Sequence, residues 1–227
     1  MTILSVMPLQ QEIDPFCEAL VARGVVVTPM ILGWLEAAHV AELGLIIARG
    51  GHGKTQFGIQ TQYLLDQLPD IEAVLCMGAA GALNPELAIG DIVVAAATIE
   101  HDYTARFRPH PLPRFPGDVG FIDQIQHLPL NALPFGIRFA VVASGDEDVI
   151  EIERAAALRH TTEACAVAWE GAGGARAARF NQLPFLELRA ITDTADHHAP
   201  DAFARNLAQA MMNLAMLIML WRDQRRG

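Results

Sequence analysis

The chain lacks several features that would place it in a particular class of protein. Its three cysteines, Cys17, Cys76 and Cys165, are odd in number and lie in or beside apolar segments. This argues against a disulfide framework or a zinc site, so we expect reduced thiols in the core. Lysine and arginine form no run apart from the terminal RDQRR, and the formal net charge is −10. Binding to nucleic acid or to an anionic membrane is therefore not expected.

Signals for secretion and membrane insertion are also missing. The opening residues MTILSVMPLQQEID show no basic segment followed by a long apolar run, so we expect no signal peptide and a cytoplasmic location. The most apolar segment, Leu214 to Trp221, is too short to span a bilayer. Hydrophobic residues make up 52% of the 227 residues and charged residues 19%. These values are typical of an α/β protein with buried parallel strands, and we expect a single domain over residues 1–227.

Apolar segments alternate with helical patterns along the chain. Strands are predicted at TILSVM, GVVVTPMI, LGLIIARGG, IEAVLCMG, IGDIVVAAATI, IRFAVVAS, AVAWE and LPFLELRAIT. Helices are predicted from Pro8 to about Arg23, from Lys54 to Leu68, over 151–160, between the last two strands, and over 201–225. GAAGAL at 78–83 is interpreted as a turn, and the proline-rich residues 103–136 as a long irregular connection. The alternation predicts a three-layer α/β/α sandwich with a mixed central sheet.

The segment ARGGHGKT at 48–55 approximates a phosphate-binding loop, although Ala48 stands where the first glycine is expected. A nucleoside triphosphatase would use Lys54 on the phosphates and Thr55 on magnesium. It would also need a strand that ends in aspartate to organise the metal, and none follows. We favour a tight glycine turn before a helix.

Two histidine-containing segments could in principle hold a metal ion. They are Asp196-His197-His198 and, upstream, His101-Asp102. Neighbouring histidines on one regular element do not easily reach the same ion, so a surface loop is the better interpretation and no metal site is predicted. GxSxG is absent and no cysteine has a convincing histidine partner, so nucleophilic hydrolysis through serine or cysteine is unsupported.

The most informative segment is residues 166–198, which has a strand–helix–strand pattern. It places Glu170 where a strand enters a helix, and Arg189 and Asp193 near the end of the next strand. Ligands of α/β proteins bind beyond the carboxyl ends of strands, so these residues indicate a small-molecule site that protonates its ligand. Solvated acids at strand ends are the alternative. Glu12, early in the first helix, would from its position alone be a surface residue.

Taken in order, these pieces resemble the 5′-methylthioadenosine/S-adenosylhomocysteine nucleosidases of the nucleoside phosphorylase superfamily. The specific blocks are GAAGALNPELAIGDIVV at 78–94 and WEGAGGARAARFNQLPFLELRAITD at 169–193, with further matches in GGHGK at 50–54 and SGDEDVI at 144–150. The resemblance implies a homodimer that acts on a purine nucleoside in methionine salvage, without metal or redox cofactor.

The resemblance also implies roles for individual residues. Glu12 matches the glutamate that activates the attacking water, and Arg189 matches an arginine near that water. Glu170 matches the glutamate that holds the ribose hydroxyls. Asp193 matches the aspartate that protonates the purine at N7.

The substrate-binding positions depart from the usual pattern. Trp169 replaces the methionine of MEGA, and Ala79, next to Gly78, stands where the nucleosidases usually have serine. Val149, followed by Ile150, is the nearest equivalent of the aromatic residue of SGDxFI that stacks on adenine. We therefore expect a divergent member of this type, in which the resemblance does not fix the 5′ substituent as methylthio or homocysteinyl.

The chemistry agrees with these roles. Protonation at N7 turns the anionic purine into a neutral leaving group, and carboxylates stabilise the oxocarbenium-like ribose. At an ordinary pKa of about 3.9, only roughly one Asp193 in a thousand would be protonated at pH 7. The site must raise this pKa or share the proton with the bound purine. A phosphate-dependent phosphorylase and a nucleoside-binding protein without activity remain as alternatives.

Overall fold

The computed structural model describes residues 2–223. Within this range the strands are β1 (Ile3–Met7), β2 (Thr28–Leu32), β3 (Leu35–Val40), β4 (Leu45–Arg49), β5 (Ala73–Ala82), β6 (Ile92–Glu100), β7 (Arg114–Pro116), β8 (Ile137–Ser144), β9 (Ala164–Ala168) and β10 (Phe185–Asp193). The α-helices are α1 (Gln10–Val21), α2 (Lys54–Gln67), α3 (Val119–Gln126), α4 (Ile152–Thr162), α5 (Gly171–Phe180) and α6 (Ala199–Asp223).

All described strands belong to one mixed sheet. The order is β10-β6-β8-β9-β5-β1-β4-β3-β2, and β7 pairs with β6. Strand β10 also pairs with β5, so β5, β10, β6, β8 and β9 close into a ring. β1 is parallel to β4 and β5, and β5 is parallel to β10, whereas β2, β3 and β4 pair antiparallel. The predicted mixed central sheet is confirmed.

Helices cover the two faces of the sheet and complete the three layers. One core cluster joins the sheet to residues of α1, α3 and α6, and a second joins it to α2 and α5. In the first, Trp221 meets Phe121 edge-on, with 5.2 Å between ring centroids. Within residues 2–223, α6 alone is long and apolar enough to cross a membrane by length and composition. Here its apolar residues pack against the sheet and α1.

The interpretation of GAAGAL as a turn was wrong. β5 continues through this segment to Ala82, because β10 pairs with it along its length and β9 pairs with Gly81 and Ala82. Small side chains suit this position, since β10 and β9 pair with the strand here and leave little room around its backbone.

Other differences concern short elements. Residues 103–136 are not wholly irregular, because they contain β7 and α3, and the carboxylate of Asp118 caps α3 by accepting a hydrogen bond from the Phe121 amide. Strand β3 was missed, and it pairs with a β2 that is shorter than predicted. The final helix begins at Ala199, and the last two residues of its predicted range, 224–225, lie outside the described residues.

Candidate active site

A cavity of about 470 Å³ lies at the carboxyl ends of β1, β8, β9 and β10. The segments that follow or end these strands supply much of its wall, as expected for an α/β sheet. The lining residues are Pro8, Leu9, Glu12, His52, Ala79, Ala80, Gly81, Glu147, Asp148, Val149, Ile150, Val167, Ala168, Trp169, Glu170, Arg189, Thr192, Asp193, Ala199, Pro200 and Phe203.

Glu12 is buried at one side of this cavity, with 2% of its surface exposed. Its Oε2 accepts a hydrogen bond from the Leu9 amide at 2.9 Å, and its Oε1 accepts one from the Ala79 amide at 2.8 Å. Burial, with the negative charge of Glu170 as the next cause, raises the pKa of Glu12 to about 7. A carboxyl group that titrates near neutrality can accept a proton from water at physiological pH.

Arg189 is a buried guanidinium shared between two carboxylates. Its Nη2 lies 3.2 Å from Glu170 Oε2, and its Nε donates to Glu187 Oε1 at 2.8 Å. Its Nη1 donates to the Ala79 carbonyl at 3.2 Å. Thr98 donates its hydroxyl to Glu187 from β6. Because a buried charge needs partners, this set of contacts fixes Arg189 and, through it, Glu170.

The second oxygen of Glu170 faces the turn that precedes α2. Glu170 Oε1 lies 3.3 Å from the Gly53 amide and 3.5 Å from His52 Nδ1. Burial opposes ionisation of Glu170, but the hydrogen bond from His52 and the charge of Arg189 outweigh it and lower the pKa of Glu170. Glu170 therefore remains a carboxylate in the cavity wall and can accept hydrogen bonds from sugar hydroxyls.

Asp193 ends β10 and has a different environment. Its Oδ1 accepts a hydrogen bond from the Ala195 amide at 3.0 Å, and its Oδ2 accepts one from the Thr192 hydroxyl at 2.8 Å. Burial raises the pKa of Asp193. Gly81 on β5 leaves room for this carboxyl group, because a Cβ there would lie 2.7 Å from Asp193 Oδ1. The structure thus gives the predicted acid the pKa direction that its role requires.

The predicted substrate-binding residues fall into two groups. Ala79, Val149, Ile150, Trp169 and Glu170 line the cavity. Gly78 is not among the lining residues. It lies behind Glu12, and a Cβ at this position would be 2.7 Å from Glu12 Oε1. Gly78 therefore makes room for a cavity residue without lining the cavity.

Comparison with known proteins decides the family. The sequence profile of the phosphorylase superfamily matches residues 2–220. The chain belongs to the phosphorylase superfamily.

Three proteins similar to this chain carry the names of nucleosidases. An aminodeoxyfutalosine nucleosidase of Campylobacter jejuni is 30% identical over 181 residues, covering 76% of this chain and 79% of the relative. A 5′-methylthioadenosine/S-adenosylhomocysteine nucleosidase of Mycobacterium tuberculosis is 28% identical over 216 residues and covers 82% of each chain. The crystal structure of the corresponding Helicobacter pylori nucleosidase matches with a TM-score of 0.88 and 25% identity, covering 99% of this chain and 98% of that one.

Sequence reasoning missed several residues that line the cavity or, like Glu187, support its wall from behind. His52 contacts Glu170, and its ring lies 4.1 Å from that of Trp169. Its position just beyond β4 was a usable signal, because strand ends border the cavity. Glu187 was missed because a single polar residue within an apolar strand gives no indication of a role by itself. Residues two apart on a strand share a face, so Glu187 and Arg189 could have been paired from spacing alone. Nothing in the sequence indicated Phe203 of α6, which also lines the cavity.

The glycine turn at 50–53 and the start of α2 bind carboxylates of other residues in this structure. The Gly53 and Lys54 amides donate to Glu170 and Asp146, and the Lys54 ammonium binds Glu100 and Asp102. The groups that would hold phosphates in a triphosphatase are therefore occupied.

The two histidine-containing segments differ, because the His101 side chain is buried against Gly145, contrary to the surface-loop interpretation, whereas 196–198 is a surface loop. Asp196 accepts hydrogen bonds from the Thr194 hydroxyl and the His198 amide in a surface loop. Across residues 2–223, no group of three or more His, Cys, Asp and Glu side chains could hold a metal ion. The surface-loop interpretation of 196–198 fits these contacts.

Proposed function

We propose that this chain is a nucleosidase that hydrolyses the N-glycosidic bond of a 5′-modified adenosine, of the 5′-methylthioadenosine or S-adenosylhomocysteine type, and releases the purine base. The observation that carries the proposal is a single cavity bordered by two buried acids of raised pKa, Glu12 and Asp193, with the Arg189–Glu170 pair in the same wall. Separated acid and base groups suit a reaction that protonates a leaving group and activates water.

Asp193 is proposed as the general acid. Burial raises its pKa and so shifts the balance toward the neutral form, which is the form that can donate a proton to N7 of a bound purine. As the glycosidic bond breaks, its electron pair moves to the base, and the proton on N7 makes that base a neutral leaving group. The hydrogen bonds from Thr192 and Ala195 hold the carboxyl group in one orientation for this transfer.

Glu12 is proposed as the general base. With a pKa of about 7, part of the population is ionised at neutral pH and can take a proton from water while the oxygen attacks the anomeric carbon. The backbone amides of Leu9 and Ala79 hold its two oxygens in place. The proton removed from water thus moves to Glu12, and the hydroxide equivalent completes the ribose product.

Glu170 is proposed to bind the ribose hydroxyls and to stabilise the positive charge that develops on the sugar. Its lowered pKa keeps it anionic, and a fixed anion in the cavity wall stabilises an oxocarbenium-like transition state. Arg189 holds Glu170 in position at 3.2 Å. Trp169, beside it, adds an aromatic wall to the same cavity.

Hydrolysis is favoured over phosphorolysis by the electrostatics around Glu12. Phosphate binding needs cationic donors, but the Arg189 guanidinium is already bonded to Glu170, Glu187 and the Ala79 carbonyl. Ala79 adds no hydroxyl group. A phosphate at this position would meet the carboxylates of Glu12 and Glu170, whereas neutral water would not be repelled.

The test is base release from a panel of nucleosides. Purified protein is incubated with 5′-methylthioadenosine, S-adenosylhomocysteine, aminodeoxyfutalosine, inosine and adenosine, each with and without phosphate, and free base is measured by chromatography. We expect adenine release from a 5′-modified adenosine at a rate independent of phosphate. A requirement for phosphate would identify a phosphorylase, and binding without release from any substrate would identify a binding protein.

We also propose that the protein works in the cytoplasm, as a homodimer, in nucleoside metabolism linked to methionine salvage. The dimer is supported by the resemblance to the nucleosidases and by the apolar composition of the chain, in which 52% of the residues are hydrophobic. The relative named aminodeoxyfutalosine nucleosidase offers a second 5′-modified substrate class for the same site. Light scattering tests the dimer, and the relative rates in the substrate panel test the metabolic role.

A further inference from the structure

Lys54 is the only lysine in the chain. It begins α2, and its side chain is 16% exposed. Its ammonium lies 2.9 Å from Glu100 Oε1 and also binds Asp102, at the end of β6 and just beyond it. The charged groups of Lys54, Glu100 and Asp102 are thus held together, and none of the three residues lines the cavity.

The same contacts anchor the segment 145–150, which follows β8. Asp102 Oδ2 accepts a hydrogen bond from the Asp146 amide at 3.0 Å. Asp146 Oδ1 in turn accepts one from the Lys54 amide at 2.7 Å. The path from Lys54 through Asp102 and Asp146 returns to Lys54, so the segment is tied to the start of α2 by a closed set of hydrogen bonds.

This segment builds part of the cavity wall. Residues 147–150 all line the cavity, and within them Val149 is buried while Ile150 is partly exposed. The contacts of Lys54 also lie next to Glu170, the proposed ribose-binding residue, because the amide of Gly53, one residue before Lys54, donates to Glu170. A change at Lys54 therefore reaches two parts of the wall without touching Glu12, Arg189 or Asp193.

We propose that Lys54 is a positioning residue that holds the 145–150 segment and the turn before α2 in the geometry that binds substrate. The inference rests on the proposed nucleosidase reaction for its kinetic test. Without the ammonium, Glu100 keeps Arg176 as a partner at 2.5 Å. Asp102 loses the cation bound to it, and its uncompensated charge then lies close to the carboxylate of Asp146, the residue whose amide it binds. The segment loosens, and substrate binding weakens more than the chemical step.

The kinetic test compares Lys54→Met with Lys54→Arg and with the control Arg138→Met. Arg138 pairs with Glu86 on the surface, near the start of β8 and so at the opposite end of that strand from the anchored segment. We expect Lys54→Met to raise KM at least about tenfold while kcat changes less than about threefold, because a loosened wall weakens the binding of substrate and transition state alike. Lys54→Arg restores part of the loss and the control leaves both constants unchanged. An unchanged KM, or a fall in kcat alone, would overturn the proposal.

A second variant removes the same link from the other side. Asp146→Ala deletes the carboxylate that accepts the Lys54 amide and leaves the lysine in place, so it serves if Lys54→Met does not fold. Its KM is expected to rise in parallel. Adenine binding, measured by calorimetry, separates this inference from the proposed function because it needs no turnover. Wild-type protein that binds adenine but cleaves no nucleoside would contradict the proposed nucleosidase function. If either variant then binds adenine at least about tenfold more weakly than wild type, the positioning role of Lys54 is still supported. Unchanged adenine affinity in both variants would contradict the positioning role.

Discussion

Glu12 and Ala79 are joined by a hydrogen bond in which the Ala79 amide donates to Glu12 Oε1 at 2.8 Å. The carbonyl of the same residue accepts from Arg189 at 3.2 Å. Ala79 therefore serves two groups of the site through its backbone alone. Neither contact needs the serine hydroxyl that the nucleosidases resembling this chain usually have at this position.

Ala79→Ser is consequently expected to change the rate little. The added hydroxyl leaves the amide and carbonyl of residue 79 in place, so kcat/KM should stay within about threefold of wild type, a change of less than about 1 kcal/mol in transition-state stabilisation. Steady-state kinetics with the best substrate of the panel checks this. A gain or loss of more than about tenfold would show that the side chain at this position acts directly in the reaction.

Glu187 is expected to matter for stability because it neutralises Arg189 where neither side chain is exposed beyond 1%. Glu187→Gln leaves the guanidinium with Glu170 as its remaining carboxylate and should lower the free energy of unfolding by about 3 kcal/mol. The matched control is Glu86→Gln, which breaks an exposed ion pair with Arg138 and should cost less than about 1 kcal/mol. Urea unfolding measures both, and equal effects would contradict this role of Glu187.

The acids at strand ends were predictable from sequence, whereas the environment of Glu12 was not. Glu170 and Asp193 follow or end apolar strands, and strand ends meet at one edge of a sheet. Glu12 is polar in the first turn of a helix, a position that favours exposure. It is buried because α1 starts against β5, so that the Ala79 amide, 67 residues away, reaches its carboxylate. Only the assembled sheet produces that contact; at the sequence level, family resemblance alone pointed to Glu12.

The errors in the fold prediction have a similar cause. Glycine and alanine have low strand propensity, yet the segment from Gly78 to Ala82 is a strand because β10 and β9 pair with it. Between 103 and 136 the prolines obscure a helix of eight residues, α3. Its burial of Phe121 and Ile125 against the core outweighs its weak local signal.

The pH dependence of the rate follows from the raised pKa of Glu12. Below its pKa of about 7 the carboxyl group is protonated and cannot accept a proton from water, so kcat/KM should rise with pH up to about 7. Burial also raises the pKa of Asp193, so the limb on which this acid loses its proton is displaced toward higher pH than for a free aspartate. Glu12→Gln should lower kcat at least about a hundredfold and remove the rising limb. A pH profile with an unchanged rising limb in this variant would exclude Glu12 as the base.

The most direct test of the account is the rate of adenine release by Asp193→Asn. Asparagine fills nearly the same volume beside Gly81 but has no acidic proton for N7. We expect kcat on 5′-methylthioadenosine to fall at least about a hundredfold with the melting temperature little changed. The control Asp123→Asn, which alters an exposed carboxylate on α3 that does not line the cavity, should keep kcat within about twofold of wild type. A near-wild-type rate for Asp193→Asn would contradict the assignment of Asp193 as the proton donor.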